Sequence, residues 1–479
     1  MSFTPFSIVL TAIIGWLLFG ARKLRLDEAV YKFFVLKLIL DLTLDYGYFI
    51  KIGESTISYS GIVSIILFVL SLFSMRKMDM KVLKNGLVFV FLLLLGIITG
   101  MLFPYDHRIV SVLNGWDRTL QGNYVKNEVS IGFYNLSFLF TAIRFVVILA
   151  TLRTLLVDRN KVFDLVRKVL SFSTLNIVYG YVEAILKNLF KFDVSANILS
   201  PIFGVTESTY SRLSLRGTLY SLQGLCKEPS YYSNTLFVFA LLSIAYIYYA
   251  RHSDILKKNI IVKKEIIRIA ALSVLLIFGF SFSSVVYLAF IVVAFFVVVL
   301  GQRKVNFIIK RLIQSVPLVL IIGILLLSLK SDGSLEYYAT RFKQLGKTIS
   351  QIISSGTVGA FNSSSEAVRL TSIIESFRYF LNRPLLGLGI GATDCHSFIV
   401  SILSNCGLLG LLLWSKTIMA FSRTTMKNKK FIIFLFVILC IIGSFGDTFS
   451  FYYPVLILTY NCLYIAHAND KSKRISASK

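Results

Sequence analysis

Apolar residues form long runs along this chain, and short polar segments separate the runs. A helix needs about 20 mainly apolar residues to cross a bilayer, and thirteen runs are candidates for such a helix. They lie at about 5–20, 30–50, 57–75, 86–103, 132–152, 164–189, 231–250, 268–282, 284–300, 315–329, 397–421, 431–447 and 450–467. The 30–50 run is the weakest, since it carries Lys32, Lys37, Asp41 and Asp45. The pattern predicts an all-α, polytopic transmembrane helix bundle with 12 or 13 spans.

Composition supports the same class. Hydrophobic residues make up 56% of the 479 residues, charged residues make up 15%, and the mean hydropathy is +0.76. A soluble protein of this length could not bury so much apolar surface. These values exclude a soluble protein and indicate a single integral membrane domain over residues 1–479.

The formal net charge of +26 comes from basic residues in the short segments between apolar runs. That distribution is the positive-inside signal, and it favours contact with anionic membrane lipids; no recognition module for nucleic acid accompanies it. The basic clusters lie at 76–84, 153–168, 251–268, 303–311, 423–430 and 471–474. They place the N-terminus outside if all thirteen runs cross, and inside if the 30–50 run does not.

This orientation leaves three sizeable loops on the outer side, at about 104–131, 190–230 and 330–396. The last has more than sixty residues, and loops of that length are usually functional. Within it, polar and apolar positions follow the period of an amphipathic helix at the membrane interface. The polar positions are Glu366, Arg369, Ser372 and Ser376, and the apolar ones are Leu370, Ile373, Phe377 and Leu381.

A glycine-rich segment ends this long loop. Its three alternate glycines cannot lie in a stable helix, because each costs about 1 kcal/mol relative to alanine there. They are Gly387, Gly389 and Gly391. The turn that they predict leads to a polar cluster, Asp394 to Ser397, at the start of an apolar run. His396 in that cluster is a candidate site residue, with an ordinary interface histidine as the alternative.

The 190–230 loop carries a second group of candidates. Arg212 and Arg216 are four residues apart, and arginine binds phosphate oxygens in a bidentate manner. Glu228 precedes Pro229 at the entrance of the next apolar run. The alternative interpretation is a set of solvated loop charges.

Arg144 lies inside the apolar run at 132–152, where a charge points to a function or to a buried partner. Glu183, Asp41 and Asp45 are the candidate partners. A structural ion pair and a contact with substrate are both open.

Two of the five cysteines, Cys226 and Cys395, fall in the outer loops. A disulfide between them and two separate thiols are both open. The other three lie in apolar runs, where small buried residues are expected.

The order of these segments resembles the signature of the O-antigen polymerase and O-antigen ligase family. The resemblance is carried by Asn382 to Gly391, by His396-Ser397, and by Gly407 and Gly410. Arg216-Gly217 followed by Lys227 to Tyr231 is similar to an outer-loop element of many members, and Arg369 resembles an arginine upstream of the glycines. The family typically has an asparagine-proline pair, whereas Arg383 separates Asn382 from Pro384 in this chain.

The resemblance implies a glycosyltransferase of the bacterial inner (plasma) membrane, with its site facing the periplasm or the exterior. An undecaprenyl-diphosphate-linked oligosaccharide is the expected donor. Arginines would bind the diphosphate and stabilise its charge, and a base would activate the acceptor hydroxyl. The implied roles fall on Arg212, Arg216 and Arg369 for the diphosphate, on His396 or Glu228 for the base, and on Gly387, Gly389 and Gly391 for backbone lining the reaction space. No metal and no cofactor are expected, since positioned arginines can replace a metal at a leaving diphosphate.

The polymerase and the ligase share this chemistry and differ in the acceptor. The Glu-Pro-Ser element at 228–230 favours a polymerase that joins repeat units into a surface polysaccharide such as O-antigen, capsule or exopolysaccharide. A ligase that transfers the glycan to lipid A–core, protein or cell wall is the first alternative, and a lipid-linked sugar flippase or transporter is the second. A chain-length regulator and a flippase are the expected protein partners.

Overall fold

The computed structural model describes residues 2–21, 26–44, 47–52, 55–74, 77–103, 133–204, 215–216, 219–226, 229–251, 258–278, 282–295, 365–393, 397–422 and 449–463, with 343, 347, 350 and 395. These residues are mostly helical. The helices are α1 (Pro5–Ala21), α2 (Leu26–Thr43), α3 (Tyr59–Phe73), α4 (Met80–Leu102), α5 (Phe133–Leu155), α6 (Arg159–Phe190), α7 (Ser200–Phe203), α8 (Pro229–Arg251), α9 (Lys258–Phe278), α10 (Phe282–Phe295), α11 (Ser365–Asn382), α12 (Phe398–Ser422) and α13 (452–463). A π-helical turn, Ser195–Leu199, precedes α7.

Five helices within these ranges are long and apolar enough to cross a membrane, so the chain is a membrane protein with transmembrane helices. They are α4, residues 135–155 of α5, α6, α8 and α12. The apolar helices α1 and α3 are shorter. The number of 12 or 13 spans stays a prediction, and the predicted spans at 315–329 and 431–447 lie outside the described residues.

The prediction of an all-α fold missed two small antiparallel sheets. In the first, β1 (Ser2–Phe3), β2 (Ile50–Ile52) and β3 (Ser55–Ile57) pair in that order, with Ser2 opposite Lys51 and Ile50 opposite Ile57. In the second, β4 (Leu215–Arg216) pairs with β5 (Leu219–Tyr220). Strands of two or three residues are too short to produce an alternating pattern in the sequence.

The chain forms two compact units, each assembled from separate segments. The first contains residues 1–74, 155–337 and 458–479, and the second contains 75–154 and 338–457. The prediction of one integral membrane domain over the whole chain stays a prediction.

In the first unit, α8 is the central helix and packs against α6, α9 and α10. In an 18-residue apolar segment of α8, 94% of the segment is buried, compared with 33% of the corresponding segment of α6. A helix that is apolar on all sides and buried on all sides is a core helix of a bundle. Large apolar residues of α6 such as Leu175 and Val178 are exposed, as they are on lipid-facing helices.

In the second unit, α12 packs against α4 and α11. Aromatic rings fill the space beside α12: Phe398 lies 5.0 Å from Trp414 and 5.2 Å from Tyr453, measured between ring centroids. Gly86 of α4 contacts Val146 of α5 so closely that a Cβ at this glycine would lie 2.2 Å from the valine Cγ1. Small residues at such crossings let transmembrane helices approach.

Helix α11 occurs where the sequence predicts a helix, and its place in a long outer loop stays a prediction. Ser372 and Ser376 are buried, while Phe377 and Leu381 are 42% and 60% exposed. These two apolar side chains therefore lie on the exposed side of the helix, as on a helix that lies in a membrane interface. Residues 351–364 of that loop lie outside the described residues.

Candidate functional site

The glycine turn, residues 384–393, connects α11 to the segment before α12. Its three predicted glycines all have left-handed backbone angles, with φ of 68° at Gly387, 103° at Gly389 and 79° at Gly391. Glycine adopts such angles without the steric cost that a side chain brings. The glycine turn is buried from residue 387 to residue 393.

Helix α12 is broken opposite this turn. Gly407 has φ 68° and ψ −172°, values that interrupt the helix in the middle of a candidate span. A Cβ at Gly407 would lie 2.2 Å from the carbonyl oxygen of Leu385, and a Cβ at Gly387 would lie 2.6 Å from the backbone of Asn405. The turn and the broken helix are thus in direct backbone contact, and glycine on both sides permits it.

Four backbone hydrogen bonds join the glycine turn to the break in α12. Ser404 and Asn405 accept from the amides of Leu388 (2.8 Å) and Gly389 (3.0 Å). In return, the amides of Leu408 (2.8 Å) and Leu409 (3.3 Å) donate to the carbonyls of residues 384 and 385. Backbone groups released by a helix break need new partners inside a membrane protein, and the turn supplies them.

Side chains reinforce this junction at both ends. The Asn405 carboxamide accepts from the Thr393 amide at 2.9 Å and donates to the Thr393 carbonyl at 2.9 Å. Asn135 of α5, fully buried, donates to the Ile390 carbonyl at 2.7 Å. These bonds fix both the middle and the end of the glycine turn, because a buried amide or carbonyl without a partner is costly.

Arg383, which lies between Asn382 and Pro384, contacts the end of α4. Its Nη2 donates to the carbonyl of Phe103, the residue that caps the C-terminal end of α4. A cation at that end of a helix satisfies an exposed carbonyl and interacts favourably with the helix dipole. Arg383 therefore has a structural role at the start of the turn.

The glycine turn ends at the predicted polar cluster. Cys395 is buried, the Ser397 amide points to its sulfur at 3.4 Å, and α12 begins at Phe398. Asp394 and His396 themselves lie outside the described residues. The nearest atoms around the three glycines belong to α12, to Gly96 of α4 and to α5, so their close approach is to protein backbone and side chains. The expected role of the glycines in lining the reaction space stays a prediction.

A buried ion pair holds the second predicted loop in the first unit. Glu183 and Lys187, one turn apart on α6, form an ion pair at 2.6 Å and have 0% and 1% of their side chains exposed. The Glu183 carboxylate also accepts from the amides of Gln223 (3.1 Å) and Gly224 (2.7 Å). Residues 223–224 are thereby fixed to α6, shortly before Glu228 in the chain.

Contacts on both sides of this carboxylate complete the attachment. Asn188 Oδ1 accepts from the Tyr220 amide at 2.8 Å. A Cβ at Gly224, which has φ 59°, would lie 2.2 Å from the ring of Tyr232, so the loop passes directly over that ring. Residues 220, 223 and 224, which precede α8 in the chain, are therefore held by contacts with α6 and with the Tyr232 ring.

The structure contradicts two of the proposed partners of Arg144. Glu183 is paired with Lys187, and Asp41 is paired with Lys37 at 2.6 Å. Asp45 lies outside the described residues. Arg144 itself donates to Thr141 at 3.0 Å, and its guanidinium carbon lies 5.2 Å from the centroid of Phe140. Its Nε is buried with no hydrogen-bond partner among the described residues.

Four further residues were predicted to belong to the site, and the structure describes two of them. Arg216 has its backbone in β4, and Arg369 lies on α11. Arg212 and Glu228 lie outside the described residues. Within the second unit, the structure brings the three predicted glycines together in the glycine turn.

All described cysteines are thiols, so the alternative of two thiols applies to Cys226 and Cys395. Both are buried. Cys226 contacts the hydroxyl of Thr235 at 3.7 Å. Cys406 is buried beside Gly410, as expected for a small residue inside a span.

Several residues that position these loops were not predicted from the sequence to do so. Asn405 and Asn135 each interrupt an apolar run, and that polar interruption was the available signal. Glu183 and Lys187 also carried a signal, because opposite charges four residues apart on a helix face one another.

Comparison with models of known protein families and with curated protein sequences gives no match.

Proposed function

We propose that this protein is a membrane glycosyltransferase that polymerises undecaprenyl-diphosphate-linked oligosaccharide repeat units into a surface polysaccharide. The proposal places the reaction at the outer face of the bacterial inner (plasma) membrane. It rests on the sequence motifs, on the membrane character of the chain, and on one structural observation.

That observation is the junction between the glycine turn and the broken helix α12. Non-helical backbone at membrane depth occurs in selectivity filters and in the broken helices of transporters, and it is tolerated only where protein or a water-filled cavity surrounds it. Here four backbone bonds and the Asn405 carboxamide replace them. The described junction ends three residues before the proposed base His396 in the chain, and a catalytic base needs rigid support from its surroundings.

The proposed reaction is a displacement at the anomeric carbon of the donor. The acceptor hydroxyl oxygen forms a bond to that carbon while the bond from the carbon to the phosphate oxygen breaks. The electron pair of the broken bond leaves with the diphosphate. His396 takes the proton of the hydroxyl, with Glu228 as the rival base.

Arginine side chains are proposed to bind the diphosphate. Arg212, Arg216 and Arg369 are assigned this role, and their charge stabilises the leaving group as its negative charge increases. A diphosphate leaves without being protonated, so the proposal needs no general acid and no metal.

The decisive experiment uses the full-length protein in nanodiscs with a lipid-diphosphate repeat unit as the only substrate, and the products are separated on a gel. We expect a ladder of lengthening saccharides. His396→Ala should lower the rate by about 10²–10⁴-fold, and Arg216→Ala by about 10²–10³-fold. Arg216→Lys should recover part of the loss, because lysine keeps the charge without the bidentate geometry.

His252→Ala is the matched control, since His252 lies in a basic cluster expected on the opposite side of the membrane. It should keep the ladder. A single added unit that appears only with a separate acceptor would identify a ligase. Binding of the substrate without any new glycosidic bond would overturn the proposal in favour of a flippase.

A further inference from the structure

A cavity of about 540 Å³ lies between α6, α8 and α9 of the first unit. Its volume falls in the range of about 300–1,000 Å³ that is typical of ligand sites. It lies at the ends of these helices that adjoin the basic clusters 153–168 and 251–268. It is therefore separate from the residues 220–226 at the opposite end of α6.

Aromatic rings form one wall of the cavity. Phe163 and Tyr249 are stacked, with centroids 3.9 Å apart and planes 4° from parallel. The ring centroids of Tyr246 and Tyr249 are 6.2 Å apart. The Tyr249 hydroxyl donates to Asn160 Oδ1 at 2.7 Å. Tyrosines in the last turn of a transmembrane helix mark the depth of the lipid head groups. Leu170 and Ile261 add apolar lining beside these rings.

Basic side chains outnumber acidic ones around the cavity. Three basic side chains line it, Arg167, Lys264 and Arg268, and two acidic ones, Asp164 and Glu265. Asp164 is already shared by Arg167 and Lys168, each at 2.7 Å, and it also accepts from a tyrosine hydroxyl. Glu265 is paired with Arg268. The positive charge of the group therefore exceeds what its own carboxylates neutralise.

Arg159 has unused hydrogen-bonding capacity beside the aromatic wall. Its guanidinium carbon lies 4.9 Å from the centroid of Tyr249. Its Nε and Nη2 atoms are buried and have no hydrogen-bond partner among the described residues. Arg159 does not itself line the cavity, so it contributes positive charge from behind the ring of Tyr249.

We infer that this cavity binds the phosphate-bearing head group of an anionic membrane phospholipid. Basic pockets between transmembrane helices on the side of the basic loops are suited to such head groups. The phosphate is held by Arg167, Lys264 and Arg268, the rings lie against the glycerol part, and the acyl chains leave along the apolar lining. The inference does not depend on the proposed glycosyl transfer.

The test measures how much anionic lipid the full-length protein retains. Protein in mild detergent is mixed with phosphatidylglycerol and phosphatidylcholine, and bound lipid is counted by native mass spectrometry. The test variant is Arg167→Gln with Lys264→Gln. The control variant is Lys161→Gln with Lys263→Gln, which removes the same charge from neighbouring positions that do not line the cavity.

We expect the test variant to bind phosphatidylglycerol roughly 30-fold more weakly, since each basic residue facing an anionic head group is worth about fivefold in affinity. The control should bind as the parent protein does. A second variant, Ser171→Trp, fills the cavity at an exposed lining position without removing charge, and it should also lose the lipid.

Three outcomes would overturn the inference. Equal losses in the test and control variants would mean that general surface charge attracts the lipid. Equal retention of phosphatidylcholine and phosphatidylglycerol would exclude recognition of an anionic head group. Displacement of the lipid by inorganic phosphate alone, with phosphate bound in its place, would identify a site for a soluble anion.

Discussion

Replacement of Gly407 by alanine tests whether α12 is broken as described. Residue 407 has φ 68° and ψ −172°, a combination that is essentially restricted to glycine. A side chain there would also place a Cβ 2.2 Å from the carbonyl oxygen of Leu385. That oxygen belongs to the backbone of the glycine turn, so it cannot rotate away as the end of a side chain could.

The expected cost has two parts. Holding a residue other than glycine in this backbone region costs about 1–3 kcal/mol. Relieving the contact with Leu385 by a backbone shift costs about 1–3 kcal/mol more, the usual cost of overpacking. Together they lower the free energy of unfolding by about 2–6 kcal/mol, a large part of the 5–15 kcal/mol of a typical protein.

Gly96 offers a matched control at the same packing site. It lies in the interior of α4, and a Cβ there would meet the turn at ordinary distances of 3.5 and 3.6 Å. Gly96→Ala should therefore be neutral, or stabilising by up to about 1 kcal/mol through helix propensity.

Thermal unfolding of both variants in the same detergent, followed by the loss of the monodisperse peak on size exclusion, measures the difference. Gly407→Ala should unfold at a clearly lower temperature than the parent protein, and Gly96→Ala should not. If Gly407→Ala matched Gly96→Ala, then α12 would have to run unbroken through residue 407, and the hydrogen bonds to the glycine turn could not exist.

Three further predictions concern the two loops. Asn405→Leu should lower the free energy of unfolding by about 1–3 kcal/mol, because the backbone groups of residue 393 lose their partners; an unchanged melting temperature would contradict this. Glu183→Gln should lower the free energy of unfolding by about 3–5 kcal/mol, because the Lys187 charge stays buried without a carboxylate. In the same melting assay, the double variant Glu183→Gln with Lys187→Met should recover much of that loss. The proposed transferase activity should fall as the medium is acidified, because a protonated base cannot accept the hydroxyl proton. Loss of this decline in His396→Ala would assign it to His396, whereas a decline that persists in that variant would favour Glu228.

The sequence by itself determined that this is a helical membrane protein. In lipid, a long apolar run can satisfy its backbone hydrogen bonds within the segment only as a helix. Its length and composition therefore decide the element type before any tertiary contact forms. The same local reasoning located α11, because its serines and its apolar residues recur at intervals of three and four residues. It also located the glycine turn, because alternate glycines disfavour a helix wherever they occur.

The tertiary structure alone decided what these segments contact. The break at Gly407 exists because the glycine turn supplies hydrogen bonds from residues about twenty positions earlier in the chain, and a hydropathy pattern carries no such information. Arg144 shows the same limit. Its charge marked it as unusual, but packing paired Glu183 with Lys187 and with the backbone of residues 223–224. Hydrophobic period depends on neighbours along the chain, whereas the choice of hydrogen-bond partners depends on which segments the fold brings together.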